Sequence, residues 1–397
     1  MSLIENSEIT TNGGKGLSLA LIPLLFISIV DFEIQNILRF YIIGIFIAVV
    51  LQGLRFFKSK NFTYGYVSIF IFAMVNLQML VFGSLQSIKD GLLDIFFVGV
   101  LWFFVEFFAT NKYTPDVIFK SYIKYIRWSF VVSMFAALIF SLNGLFMIEE
   151  LGRTRFFGVS GPATSAIFWV AVVIPLGVSF LEFRRGLDGF LFAIGVTAIF
   201  ATQSRMAILS LYFSLFLVLY FHLSHSLRKI ILIFYIAFPV TFASYLIFET
   251  QILFAGESLS VEGLNFNGRE YIWDLLIEDV LKSPWLGYGF GAVESLLRDV
   301  AYSESFMQPH NDYLKLIFNF GVIGVIAFFA ILFSCFWALK VSFGLKEMKR
   351  LNTVAACYFL SFIVLMTTDN ILIYMFFVYP LSFIFGYVIS NKNQFGR

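Results

Sequence analysis

Long apolar runs separated by short polar segments fill most of the chain, and this pattern predicts membrane-spanning helices. A helix needs about 20 predominantly apolar residues to cross the hydrocarbon core of a bilayer. The runs are continuous and do not alternate between polar and apolar positions, which favours helices over the strands of a membrane barrel. By that length the pattern predicts twelve spans, at residues 17–31, 36–55, 64–83, 91–109, 127–148, 163–181, 189–204, 206–222, 230–248, 314–338, 353–368 and 371–390.

One long polar interval, from Glu249 to Asp312, interrupts the apolar pattern. It divides the chain into a bundle of about nine helices over residues 1–248, a large extracytoplasmic loop over 249–312, and three membrane helices over 313–397. Polar and charged side chains are otherwise scarce, so we expect the functional chemistry to depend on this interval.

Apolar positions at helical spacing within the interval predict a short amphipathic helix that begins near Arg269 and ends at Ser283. Pro284 follows directly and cannot continue the helix. Glycines over 287–291 predict a backbone turn, and a second short helix is predicted over 292–300. The first helix has the character of helices that lie along a membrane surface.

Composition agrees with the membrane interpretation, because 60% of the residues are hydrophobic and only 13% are charged. Soluble domains carry about a quarter charged residues. The fold class is therefore predicted to be all-α: a polytopic membrane protein with about 12 transmembrane helices and one long extracytoplasmic loop containing short amphipathic helices. The two cysteines, Cys335 and Cys357, both lie in apolar runs and indicate neither a metal site nor a disulfide framework. No cofactor, no metal ion and no nucleic acid is expected as a partner.

The distribution of Lys and Arg predicts the orientation, because short cytoplasmic loops carry most of the basic residues. With the N-terminus in the cytoplasm, most of the 27 basic residues fall on the cytoplasmic side. Both termini are then cytoplasmic, and the polar interval faces the periplasm or cell exterior.

The basic residues expected on the outer side are mainly arginines, and three of them are candidate phosphate ligands, because a guanidinium pairs bidentately with phosphate oxygens. Arg155 lies in a polar segment between spans, and Arg269 opens the amphipathic helix. Arg205 follows a short apolar run over 189–201, roughly 20 Å of helix, so it is expected below the outer surface at the bottom of a cavity. An arginine at such depth is costly unless it has a partner or a function. Snorkelling to lipid phosphates is the alternative interpretation.

His310 follows a proline and precedes a membrane helix, and it is the candidate general base because imidazole takes up a proton near neutral pH. It is equally interpretable as an interfacial residue or a hydrogen-bonding residue at the start of a helix. Asn311 and Asp369 are candidates to orient it. Asp369 is also a candidate to replace His310 as the base, or to cap a helix.

Four segments resemble the signature of the O-antigen polymerase and ligase superfamily of bacterial inner-membrane glycosyltransferases. They are REYIW at 269–273, SPWLGYG at 283–289, PHNDYL at 309–314 and FGVIG at 320–324. RFFG at 155–158 and Ser204-Arg205 are weaker matches, and the first five predicted spans match only in hydropathy.

The resemblance implies transfer of a glycan from undecaprenyl diphosphate to an acceptor hydroxyl at the outer face of the membrane, without a metal ion and with inversion. It implies that Arg205 and Arg269 bind the diphosphate, that Arg155 binds the same anion or lines the acceptor path, and that His310 activates the acceptor. His310 and Arg269 are then the catalytic residues.

The resemblance also implies the partners: an undecaprenyl-diphosphate-linked oligosaccharide, membrane lipid, and a chain-length regulator and flippase of the same pathway. The compact outer interval favours a polymerase of O-antigen, capsule or exopolysaccharide repeats over a ligase that transfers the glycan to lipid A core or another acceptor. A transporter or flippase of lipid-linked sugars is the alternative from a different class. It would place charges near the bilayer midplane, whereas the charges here collect at the outer face.

Overall fold

The computed structural model of the chain describes residues 16–18, 20–26, 96–110, 113–142, 147–150, 153–156, 161–222, 227, 269–289, 291–300, 309–367 and 369–395. Eleven helices and two strands lie within these residues. In chain order they are α1 Pro23–Phe26, α2 Phe96–Thr110, α3 Pro115–Leu142, β1 Met147–Glu150, β2 Arg153–Phe156, α4 Pro162–Phe183, α5 Gly186–Ala201, α6 Arg205–His222, α7 Arg269–Lys282, α8 Ala292–Val300, α9 Asp312–Ser342, α10 Lys349–Met366 and α11 Met375–Phe395. Short 3-10 turns at Lys346–Met348 and Ile371–Ile373 precede α10 and α11.

Membrane-length helices dominate the described part of the chain, which confirms the prediction of an all-α polytopic membrane protein. Five helical segments are long and apolar enough to span a bilayer, and three shorter apolar helices accompany them. The five are Pro115–Ile139, Pro162–Phe183, Arg205–His222, Asp312–Ser342 and Lys346–Met366. The spans predicted at 36–55, 64–83 and 230–248 lie outside the described residues, so the total of twelve stays a prediction.

The fifth predicted span was placed too late in the chain. Its helix, α3, begins at Pro115 and ends at Leu142, not at residues 127 and 148. Charged residues in its first turns interrupt the apolar run but not the helix. Asp116 binds Lys120 one turn on and Arg350 of α10. Arg127 likewise donates to Asp188 at 2.5 and 2.7 Å.

A small antiparallel hairpin follows α3 where the sequence predicted the end of a span. β1 pairs with β2 in a register that sets Glu150 opposite Arg153 and Ile148 opposite Arg155. The two strands are separated by Leu151-Gly152 alone, and a two-residue connection containing glycine between short runs is a hairpin signal. The hairpin lies against α5.

Helix α4 is at the centre of the described bundle. It is apolar all round, and nearly every residue from Pro162 to Ser179 is buried, as expected of a helix enclosed by other helices. It packs against α3, α5, α6, α10 and α11. Helix α11 is buried along most of its length and packs chiefly on α2.

Ion pairs gather at one end of the bundle, which we call the Glu182 end. Glu182, at the C-terminus of α4, accepts from Lys349 at 3.2 Å and Arg350 at 3.4 Å, and it lies 2.8 Å from a ring nitrogen of His222. These partners come from the start of α10 and the end of α6. These charge pairs join α4, α6 and α10 and fix the relative positions of the three helices at this end. The candidate functional residues lie at the other end of the bundle.

Candidate functional site

His310 lies at the start of α9, in a backbone conformation that few residues other than glycine adopt. Its φ is 50°, in the left-handed region, where a non-glycine residue costs about 1–3 kcal/mol and persists only when the surroundings impose it. Two neighbours impose it here. The carbonyl of Pro309 accepts a hydrogen bond from the Trp273 indole at 2.7 Å, and the side chain of Asn311 caps α9 by accepting from the Leu314 amide at 3.0 Å.

A carboxylate and an amide face the ring of His310. The Nδ1 atom lies 3.9 Å from Oδ1 of Asp369 and 3.4 Å from Nδ2 of Asn370. The side chain of His310 keeps 28% of its surface exposed, whereas that of Asp369 keeps 13%. The structure thus brings His310 and Asp369 together from positions distant in the sequence, while Asn311 contacts the helix backbone.

Asp369 is itself held by two donors. Its Oδ1 accepts from the Asn370 amide at 2.9 Å and from the Tyr374 hydroxyl at 3.0 Å. A tyrosine hydroxyl has a pKa of about 10 and so carries its proton at neutral pH. Tyr374 therefore remains a hydrogen-bond donor to Asp369 across the physiological range.

Asp312 ties the segment between α10 and α11 to the start of α9. It is fully buried, and its Oδ2 accepts from the Leu372 amide at 3.0 Å. The 3-10 turn that contains Leu372 lies between Asn370 and Tyr374 in the chain. This bond keeps the segment that carries Asp369 close to His310.

The arrangement is suited to proton transfer through the far nitrogen of the His310 ring. For Nε2 to take up a proton, Nδ1 must already carry one and face an acceptor; in that tautomer the Asn370 amide nitrogen, which only donates, makes no hydrogen bond to Nδ1. Asp369 supplies that acceptor at a distance that a shift of about 1 Å would convert into a hydrogen bond, and catalytic hydrogen bonds are often long before substrate binds. An imidazolium formed at His310 is then stabilised by the neighbouring carboxylate.

Helix α9 is broken at Gly321, about three turns after His310, and a loop packs into the break. Gly321 has φ 61° and ψ −170°, outside the helical region. The amides of Val322 and Ile323 donate to the carbonyls of Pro284 and Trp285, at 2.9 and 3.3 Å. In return the amides of Tyr288 and Gly289, further along the same loop, donate to the carbonyls of Phe318 and Asn319 in α9, at 2.9 Å each. The predicted span at 314–338 was interpreted as continuous, and the break is a correction to it.

Two glycines allow the loop and the broken helix to approach so closely. A Cβ on Gly321 would lie 2.3 Å from the carbonyl oxygen of Trp285, and a Cβ on Gly287 would lie 2.5 Å from that of Phe318. The glycine turn predicted from the sequence is confirmed, since Gly287, like Gly289 and Gly291, has a positive φ. Its role is close backbone packing rather than phosphate binding.

Helices α7 and α8, predicted at residues 269–283 and 292–300, are confirmed and pack on α9 next to this break. Apolar side chains from all three helices form a small separate core, which includes Leu276, Leu297 and Phe318. A buried ion pair crosses the same interface: Lys315 of α9, with 1% of its side chain exposed, binds Glu294 of α8. Helices α7 and α8 are thereby fixed to the membrane helix that follows His310.

The three candidate arginines lie at the starts of two helices and in the hairpin. Arg205 is the first residue of α6 and its side chain is exposed. Arg155 lies in β2, and Arg269 is the first residue of α7. The structure fixes the backbone at these two positions, and the binding of phosphate by their side chains stays a prediction.

Arg205 lies at the same end of the bundle as Asp369. The hydroxyls of Ser214 in α6 and Ser361 in α10 are 2.7 Å apart, and the two helices run antiparallel. Arg205 lies nine residues before Ser214 and Asp369 lies eight residues after Ser361. Because the helices are antiparallel, both lie towards the same end, about 12–14 Å of helix rise from the serine pair. The short helix α5, which ends just before Arg205, is about 24 Å long, against a hydrocarbon thickness of about 30 Å.

Several residues that shape the site were not singled out from the sequence. Trp273 and Asn370 contact the His310 segment, and Tyr374 supports Asp369. Trp273 stands within one of the segments that carry the family resemblance, so that segment is the signal for it. Within the described residues, no group of three His, Cys, Asp or Glu side chains is placed to hold a metal ion.

Two comparisons with known proteins found similar sequences. Residues 190–329, which include Arg205, Arg269 and His310, match the model of a family described as O-antigen ligase. Over 375 residues the chain is 25% identical to a ComP-specific O-oligosaccharyltransferase of Acinetobacter baylyi, which covers 89% of this chain and 66% of the relative. The chain thus spans slightly less than two thirds of the length of that relative. The chain is therefore similar to O-antigen ligases over residues 190–329, and the resemblance found in the sequence is confirmed.

Proposed function

We propose that the protein transfers a glycan from undecaprenyl diphosphate to an acceptor hydroxyl at the outer face of the bacterial inner membrane. The observation that carries the proposal is the His310 environment. A partly exposed imidazole is held in a strained backbone conformation with Nδ1 towards Asp369, at the end of a membrane helix. The name of the family model and the name of the A. baylyi relative both support glycan transfer.

In the proposed mechanism His310 removes the proton of the acceptor hydroxyl as its oxygen attacks the anomeric carbon. The new bond forms on the side of the anomeric carbon opposite the bond to the diphosphate. That bond breaks, the diphosphate leaves with its electron pair, and the configuration at the anomeric carbon inverts. Asp369, supported by Tyr374, stabilises the imidazolium that results. The proton is later released to water or to the departing phosphate.

The arginines stabilise the charge that accumulates on the leaving diphosphate. Arg205 and Arg269 bind its oxygens, and Arg155 binds the same anion or lines the acceptor path. Donors fixed before the reaction are most effective where charge develops in the transition state. Lack of a metal requirement is part of this proposal, since guanidinium groups then supply the positive charge.

Two acceptors are compatible with this mechanism, and we favour transfer of a preassembled glycan to a non-repeat acceptor. Both matched names describe ligation or oligosaccharide transfer. The polymerase predicted from the compact outer interval, which would join the glycan to another lipid-linked repeat, is the second candidate. A flippase and a chain-length regulator would be partners of the polymerase.

Localisation follows from the distribution of basic residues. Both termini and the Glu182 end face the cytoplasm in this proposal, and the His310 end faces the periplasm or cell exterior. Arg184 and Arg185, which join α4 to α5, and Lys349 and Arg350 at the start of α10 are then cytoplasmic, as the positive-inside rule expects.

Purified protein in proteoliposomes tests the proposal with a labelled undecaprenyl-diphosphate-linked repeat and each acceptor in turn. Release of undecaprenyl diphosphate with label on lipid A core or on a protein supports ligation, whereas a ladder of longer lipid-linked glycans supports polymerisation. Movement of the lipid-linked repeat between leaflets without any new glycosidic bond contradicts both and supports transport. In a deletion strain, long lipid-linked glycan excludes the polymerase, and accumulation of single repeats supports it.

A further inference from the structure

Helix α7 exposes an apolar stripe that the packing of the described residues leaves uncovered. Its buried positions, including Ile272 and Leu276, face α8 and α9. Ile277 and Leu281 lie one helical turn apart on a different side and are exposed, Leu281 by 73%. Trp285 and Leu286, in the loop that follows α7, are also exposed, Trp285 by 67%.

We call these four side chains, Ile277, Leu281, Trp285 and Leu286, the α7 patch. An apolar surface of this kind on a folded protein marks a site of interaction. The neighbouring residues of α7 restrict the type of partner. Glu278 and Lys282, each next in sequence to a patch residue and 100° further round the helix, are exposed and bind each other.

The α7 patch is continuous with the lipid-facing surface of α9. The carbonyl of Trp285 accepts from the amide of Ile323, directly after the break in α9. Ile323 itself is exposed, and from it an exposed apolar stripe continues along this candidate membrane span. Its further members are Ile326, Phe329, Phe333, Phe336 and Trp337.

From this continuity we propose that the α7 patch inserts into the adjacent leaflet of the bilayer and contacts phospholipid acyl chains. Helix α7 then lies at the membrane interface with Glu278 and Lys282 towards water. Tryptophan is enriched at this depth because its ring is apolar and its indole N–H is polar. The inference depends on α9 spanning the membrane and not on the proposed enzymatic activity.

Insertion of the patch links the bilayer to His310. Trp273, on the same helix as the patch, donates to the carbonyl of Pro309 immediately before His310. Trp285 fixes the other end of α7 to the break in α9. The bilayer therefore restrains the depth of α7, and α7 restrains the segment that carries the histidine.

An environment-sensitive fluorophore attached through a maleimide tests the contact. One variant carries Leu281→Cys and the matched control carries Lys282→Cys, the adjacent residue on the charged side. Native Cys335 and Cys357 are buried, and labelling of the unsubstituted protein gives the background. Ile277→Cys provides a second position on the patch if Leu281→Cys does not fold.

The labelled proteins are reconstituted into phosphatidylcholine vesicles with and without doxyl-labelled phospholipid. The proposal expects the patch label to emit at shorter wavelength than the Lys282→Cys label and to be quenched by the doxyl lipid, with little quenching of the control. Equal emission and equal quenching at the two positions would overturn it. A patch label that emits at short wavelength but is not quenched would also overturn it, because protein, such as a second copy of the chain, would then cover the patch.

Discussion

Replacement of Gly321 by alanine is expected to destabilise the contact between the polar interval and α9. Gly321 has φ 61° and ψ −170°, a region used almost only by glycine, and a side chain there costs about 1–3 kcal/mol. The added Cβ would also lie 2.3 Å from the Trp285 oxygen and 2.4 Å from its carbonyl carbon. Overlap with backbone cannot be relieved by rotation of a side chain, and overpacking costs about 1–3 kcal/mol. The sum is about 2–6 kcal/mol.

Two other glycines separate these contributions. Gly161, with φ 93° and ψ 159°, has a comparable backbone conformation, but a Cβ there would meet nothing within 4 Å. Gly161→Ala should therefore cost only the conformational part, about 1–3 kcal/mol. Gly344→Ala meets no atom and requires no positive φ, so its effect should stay within about 0.5 kcal/mol.

Reversible unfolding in mixed detergent micelles measures the three free energies of unfolding. We expect the order Gly321→Ala, then Gly161→Ala, then Gly344→Ala, from most to least destabilised. Equal stability of the Gly321→Ala and Gly344→Ala proteins would refute the close packing of the loop against the broken helix.

Three further predictions concern side chains around the site. Tyr374→Phe removes a hydrogen-bond donor to Asp369 and should lower kcat by about tenfold with little change in KM. Steady-state glycan transfer measures both constants, and an unchanged kcat would show that Tyr374 does not support the reaction. Glu294→Gln leaves Lys315 buried without its charged partner and should cost about 3–5 kcal/mol in the same unfolding assay, whereas Glu294→Leu with Lys315→Met should recover most of that loss. Trp273→Phe removes the hydrogen bond to Pro309, so it should lower the free energy of unfolding by about 0.5–1.5 kcal/mol and also lower kcat. An unchanged kcat would contradict positioning of His310 by α7.

The two short helices α7 and α8 and the turn between them could be predicted from the sequence because their signals are local. Helix α7 ends where Ser283-Pro284 predicts, and α8 occupies the predicted residues 292–300. Periodicity, proline and glycine act within a few residues of the positions they determine. The assignment of Gly287 to a turn is confirmed for the same reason.

Features that depend on residues distant in the sequence could not be predicted. Lys315 is buried against Glu294, and nothing near either residue in the sequence specifies their pairing. The break at Gly321 depends on a loop some 35 residues earlier that supplies the missing hydrogen-bond partners.

The candidate site likewise contains residues that could be predicted from the sequence and residues that could not. His310 could be selected from the sequence because its residue type and its place before a membrane helix are both visible there. Its contact with Asp369 was proposed as one of several alternatives, and the structure places the two side chains together. The support from Tyr374 required the fold between α10 and α11, which a hydropathy pattern does not contain.

The rate of glycan transfer by a His310→Ala protein tests the central claim most directly. Purified protein in proteoliposomes would be supplied with a lipid-linked glycan and its acceptor, with Arg269→Ala measured in parallel. His222→Ala is the matched control, because it alters a histidine at the Glu182 end of the bundle. Loss of a general base lowers turnover by about 10²–10⁴-fold, so we predict a loss of that size for His310→Ala and near-normal turnover for His222→Ala. Full turnover by both His310→Ala and Arg269→Ala would contradict the account.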